Sequence, residues 1–118
     1  MPELPEIETV CRTLQPRLCG RRLETVTVYH PDAVKYPCPE LFISGLTGHT
    51  VAALSRRGKY LLIGLEQGAT LVAHLRMTGR LLCTPAEYVL RPHTHVVFAL
   101  DNGQELRFSD TRRFGGFW

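Results

Sequence analysis

A chain of 118 residues has the usual size of one domain and is too short to bury two independent cores. With 44% apolar and 21% charged residues it has an ordinary globular composition, and no apolar run approaches the roughly 20 residues a bilayer-spanning helix needs. A net charge of +3 is too small to mark a polyanion binder, so the placement of the bases matters more than their sum.

The start, Met1-Pro2-Glu3, is acidic and lacks the basic segment and long apolar stretch of a secretory signal, so the expected location is the cytoplasm. Cys11, Cys19, Cys38 and Cys83 are widely spaced. None forms the close pair of a structural zinc site, and all four read as reduced thiols.

Ile7, Val10, Cys11, Leu14 and Leu18 recur at three- and four-residue steps, which predicts a helix from about Pro5 with one apolar stripe. Pro5 suits a first turn, and Pro16 is expected to kink or end the helix before Gly20. From Leu23 the period shortens to two, with Val26 and Val28 alternating with threonines, and a strand is expected. Residues 30 to 39 hold three prolines and read as a loop; Glu40 to Leu46 reads as a short helical turn.

Thr50 to Arg57 and Lys59 to Leu65 are strand-like runs meeting at Gly58, and Thr70 to Met77 and Arg80 to Cys83 meet at Thr78-Gly79. Both pairs read as hairpins. Thr94 to Leu100 and Glu105 to Phe108 flank Asp101-Asn102-Gly103, whose Asn-Gly pair suits a tight reversal. One helix and six or seven short strands predict a mainly β fold with α: a two-sheet antiparallel β-sandwich closed by an amino-terminal helix. The aromatic, Gly-rich ending from Phe114 to Trp118 is unlike a polar tail, which leads us to expect a fragment of a longer protein. The bases cluster at Arg56-Arg57-Gly58-Lys59, at Arg76 and Arg80, and at Arg112-Arg113, beside predicted strand ends, where they could line one DNA face.

Four segments in order, Met1-Pro2-Glu3-Leu4-Pro5-Glu6-Ile7-Glu8-Thr9, Arg56-Arg57-Gly58-Lys59-Tyr60, His74-Leu75-Arg76-Met77-Thr78-Gly79-Arg80 and Asp110 through Gly115, resemble the bacterial-type formamidopyrimidine-DNA glycosylases. The related endonuclease VIII branch shares the Pro-Glu start but is less similar around Met77. Thr111 departs from the family, which often has Pro there. The resemblance implies that residues 1–118 form the amino-terminal catalytic domain, without the helix-two-turn-helix and zinc-finger regions. No cofactor is then expected in this chain, and zinc only in that carboxy-terminal region.

The implied function is base-excision repair: a bifunctional glycosylase and abasic-site lyase that removes oxidised purines such as 8-oxoguanine and formamidopyrimidines. Its partner would be double-stranded DNA holding such lesions or abasic sites, and the protein would be a monomer away from membranes. The alternative is an isolated non-catalytic fragment that binds DNA weakly or not at all.

Removal of Met1 would leave Pro2 as a secondary α-amine, and an α-amine of pKa about 7.7 to 8 is roughly a tenth unprotonated near neutrality. The resemblance makes that nitrogen the nucleophile at the sugar C1′, leading to a Schiff base and β,δ-elimination. Glu3, otherwise a plain acid at the positive end of a helix, would take the proton released by Pro2 and pass it to the sugar. Glu6 would support the terminal amine or serve as an ordinary first-turn acid, and Glu8 reads as solvated. Lys59 would hold a phosphate beside the everted nucleotide.

His74 and Arg76 alternate with apolar neighbours, so one of them can face DNA. On its own Met77 reads as core and Phe114 as a loop anchor. In the family register Met77 fills the space left by the flipped base, Arg112 bonds the orphaned partner base, Phe114 wedges the next step and Arg113 meets phosphate.

Overall fold

The computed structural model describes residues 4–76, 78–111 and 115–118. The elements are α1 (Leu4–Leu18), β1 (Leu23–Val28), a 3₁₀ turn (Pro31–Ala33), α2 (Pro39–Leu46), β2 (Val51–Arg57), β3 (Tyr60–Leu65), β4 (Thr70–His74), β5 (Gly79–Pro85), β6 (Thr94–Leu100), β7 (Gln104–Asp110) and β8 (Gly116–Phe117). Two four-stranded antiparallel sheets, ordered β1-β6-β7-β5 and β2-β3-β4-β8, pack face to face as expected. The two-residue β8 is a strand the sequence pattern does not announce.

The predicted stripe of α1 is its buried face: Ile7, Cys11, Leu14 and Leu18 are all nearly inaccessible, with Val10 beside them. The helix packs chiefly on β2 and β5. It also passes through Pro16, which was expected to kink or end it. Only the Arg12 carbonyl loses its amide partner there, and both residues are exposed, so water can replace that bond.

Phe117 from β8 sits between the sheets, its ring centroid 5.4 Å from Phe98, 5.2 Å from Phe108 and 5.9 Å from Phe42 of α2. All four rings are buried, each contributing about 1.5–3 kcal/mol through removal of apolar surface from water. The turn at Asp101-Asn102-Gly103 joins β6 to β7 as read, with positive φ at Gly103 and with Asn102 Oδ1 accepting the Gln104 amide.

The predicted hairpin at Thr78-Gly79 does not form. β4 ends at His74 and pairs with β3 and β8, whereas β5 pairs with β7 in the other sheet. The inward alternation Leu71, Ala73, Leu75 runs past the end of β4 and hides the crossover. Arg76 then takes φ 56°, and the Gly79 amide donates to the Leu75 carbonyl at 2.8 Å. A Cβ at Gly79 would lie 2.4 Å from that carbonyl oxygen, so this close approach requires glycine.

Candidate nucleic-acid interface

Strand register gathers the described site residues at one end of the sandwich. Tyr60 opposes His74, which opposes Gly116, so the Gly58-Lys59 turn, the end of β4 and the start of β8 are neighbours. Gly79 opposes Asp110, bringing the start of β5 and the end of β7 to the same place through the Gly79–Leu75 bond.

A groove of about 470 Å³ opens there between α1 and β5, and Glu6, Leu75, Thr78, Arg80 and Thr111 are among its walls. Glu6 is three residues beyond Glu3, Thr78 directly follows Met77, and Thr111 directly precedes Arg112. The chain neighbours of three predicted site segments therefore share one groove. Pro2, Glu3, Met77, Arg112, Arg113 and Phe114 themselves lie outside the described residues.

Lys59 stands half-buried in the β2–β3 turn, next to Gly58 at φ 60°. That turn is tied to α1. Glu8 accepts from Arg56 Nε at 2.8 Å and from Arg12 Nε at 3.0 Å, while Arg56 also donates to the Gly58 carbonyl at 3.2 Å. Hydrogen bonds from Arg56 and then Arg12 hold the Glu8 carboxyl below its ordinary pKa. Sequence reading took Glu8 as merely solvated; it bridges the helix to the base of the lysine turn. Its partner Arg56 is 48 residues away, and no local pattern announces the pair.

His74 is buried, with the Tyr60 ring edge-on at 4.7 Å. Its Nδ1 accepts the backbone N–H of Arg76 at 3.1 Å, which helps hold the left-handed backbone there. Burial lowers its pKa, and the nearby charges of Arg76 and Lys59 lower it further. The ring is therefore a neutral acceptor near pH 7. Arg76 is half-buried at the same corner.

Asp110, almost fully buried, opens the fourth motif and gains its role from folding. Its carboxylate accepts from the Thr78 hydroxyl and, at 2.7 Å, from the Gly115 amide. Its own carbonyl lies 2.7 Å from His95 Nε2. Four free thiols are present, and burial raises the pKa of Cys11 and of Cys83. Among the described residues no cluster of three or more His, Cys, Asp or Glu could hold a metal ion, and no helix is long and apolar enough to cross a membrane.

The family profile described as "Formamidopyrimidine-DNA glycosylase N-terminal domain" matches residues 1–117. Among curated relatives, the formamidopyrimidine-DNA glycosylase of Moorella thermoacetica is 55% identical over 98% of this chain and 42% of its own length. That of Geobacillus kaustophilus is 47% identical, again over 98% of this chain and 42% of the relative. The chain thus spans about two fifths of the curated relatives it matches. A crystal structure of the Lactococcus lactis enzyme in complex with DNA containing FAPY-dG superposes with a TM-score of 0.92 at 33% identity, over 98% of this chain and 43% of that one. The same enzyme non-covalently bound to abasic-site DNA gives 0.92 at 33% identity, over 98% and 44%.

Proposed function

This chain belongs to the formamidopyrimidine-DNA glycosylase N-terminal domain family, and on that premise we propose that it is the catalytic domain of a base-excision repair enzyme for oxidised purines. The observation that carries this reading is the meeting of Glu6, Thr78 and Thr111 along one groove, with the Lys59 turn at the same end of the sandwich. A nucleophile, a phosphate-binding cation and gap-filling side chains must work within one nucleotide's reach, and this arrangement supports that.

In the proposed reaction the neutral Pro2 nitrogen attacks C1′ and the bond from C1′ to the base breaks, the base leaving with the electron pair and taking a proton from water. The Pro2 proton goes to Glu3, which protonates the ring oxygen and opens the sugar. The resulting iminium draws the electrons of a C2′–H bond as the 3′ phosphate leaves, and then those of the C4′–H bond as the 5′ phosphate leaves, with water taking both protons. Lys59 holds a backbone phosphate through the steps, as a compact ammonium does well. Extruding a base costs a few kcal/mol, and Met77, Arg112 and Phe114 would offset this by occupying the gap and bonding the partner base, with Arg113 on phosphate. His74, already bonded to the Arg76 amide, would set the backbone that presents Arg76.

A helix-two-turn-helix region and a zinc finger would supply the rest of the duplex grip, with the metal held outside these 118 residues. The span of only 42% of its relatives favours a second reading for the isolated chain: weak DNA binding without turnover. Excision of 8-oxoguanine from duplex DNA tests both. In the longer protein, Glu3→Gln should lose excision by about a hundredfold or more while DNA affinity stays within about threefold. Equal losses of both would contradict the role given to Glu3.

A further inference from the structure

The two chain segments expected to enter the duplex are far apart in sequence, yet one buried side chain holds them together. Asp110 closes β7 with 1% of its surface accessible. One carboxylate oxygen accepts the hydroxyl of Thr78, the residue after Met77; the other accepts the amide of Gly115, the residue after Phe114. The carboxylate is itself anchored, because the Asp110 amide donates to the His93 carbonyl at 3.1 Å and its carbonyl meets His95 Nε2. Gly115 is also pinned by packing, since a Cβ there would lie 2.8 Å from the His74 carbonyl oxygen. A carboxylate taken this far out of water is retained only where its lone pairs are satisfied, so both bonds are costly to break.

We propose that Asp110 is a positioning residue that couples the segment bearing Met77 to the segment bearing Phe114, so that the two side chains enter the vacated space as one unit. The proposal rests on the gap-filling reading of those residues. An amide in place of the acid can still serve both partners, its oxygen accepting the Gly115 N–H and its nitrogen donating to the Thr78 oxygen. Asp110→Asn should therefore keep both links, whereas Asp110→Leu removes them and Thr78→Val removes one.

The experiment measures kcat and KM, in the longer protein that carries this domain, for 8-oxoguanine in duplex DNA and for an abasic site in single-stranded DNA. Asp110→Leu should lower duplex turnover about tenfold or more and leave single-strand cleavage within about twofold. Thr78→Val should show the same selectivity more weakly, and the double variant should be no worse than Asp110→Leu alone. Should Asp110→Leu fail to fold, Thr78→Val on a duplex with 2-aminopurine opposite the lesion reads the same coupling as a smaller unstacking signal. Additive losses in the double variant, or equal losses on both DNAs, overturn the proposal. Met77→Ala and Phe114→Ala separate the two claims: if they discriminate between the DNAs while Asp110 and Thr78 variants do not, only the coupling fails. If they do not discriminate, the gap-filling reading fails with it.

Discussion

The His74 imidazole is buried and accepts the Arg76 amide through Nδ1, so protonation would both charge a desolvated ring and remove an acceptor. Its pKa in the fold lies below the ordinary 6.5, so below that pH the unfolded chain binds more protons than the folded one. The contribution of His74 to stability is complete above about pH 6.5 and is lost as pH falls through the lower folded value. His74→Asn keeps an acceptor but cannot titrate, and the drop in Tm between pH 7.5 and 5.5 should be smaller than in the parent. An equal drop would show that the ring is not the titrating group. Candidate site residues could be named at this scale because they sit in compact motifs. Glu8 and Asp110 were not, because their roles come from Arg56, Thr78 and Gly115, partners brought close by folding or left without a role in a motif.

Among the elements, periodicity identified α1 and the strand runs correctly and failed where backbone geometry overrides side-chain pattern. The helix crosses Pro16 because the lost bond is exposed, and the chain leaves the sheet after β4 while the inward alternation still continues to Leu75. Gly79 is the sequence mark of that exit. Gly79→Ala would force a Cβ to 2.4 Å from the Leu75 carbonyl, and destabilisation of about 1–3 kcal/mol or more is expected in denaturant unfolding. Gly64→Ala is the control, since its nearest neighbour would be at an ordinary 3.7 Å and the change should stay within about 0.5 kcal/mol. Equal behaviour of the two variants would refute the steric account of the crossover.

For the whole molecule, alternating strands and one amphipathic helix sufficed to predict a sandwich, since each element has one face to bury and few ways to bury it. Sheet membership was not legible: β8 joins β4 from 42 residues further along, and the pairing of Gly116 with His74 leaves no local trace. That long-range pairing, with the packing of Phe117 on Phe98 and Phe108, brings the described ends of the third and fourth motifs together. In the proposed reaction catalysis starts from the Pro2 nitrogen. The most direct test is borohydride trapping of the longer protein on duplex DNA with an abasic site, followed by digestion and mass mapping of the adduct. The adduct should lie on the peptide that begins with Pro2 and vanish when the amino terminus is acetylated. An adduct on Lys59 or another lysine, or one undiminished by acetylation, would contradict the account.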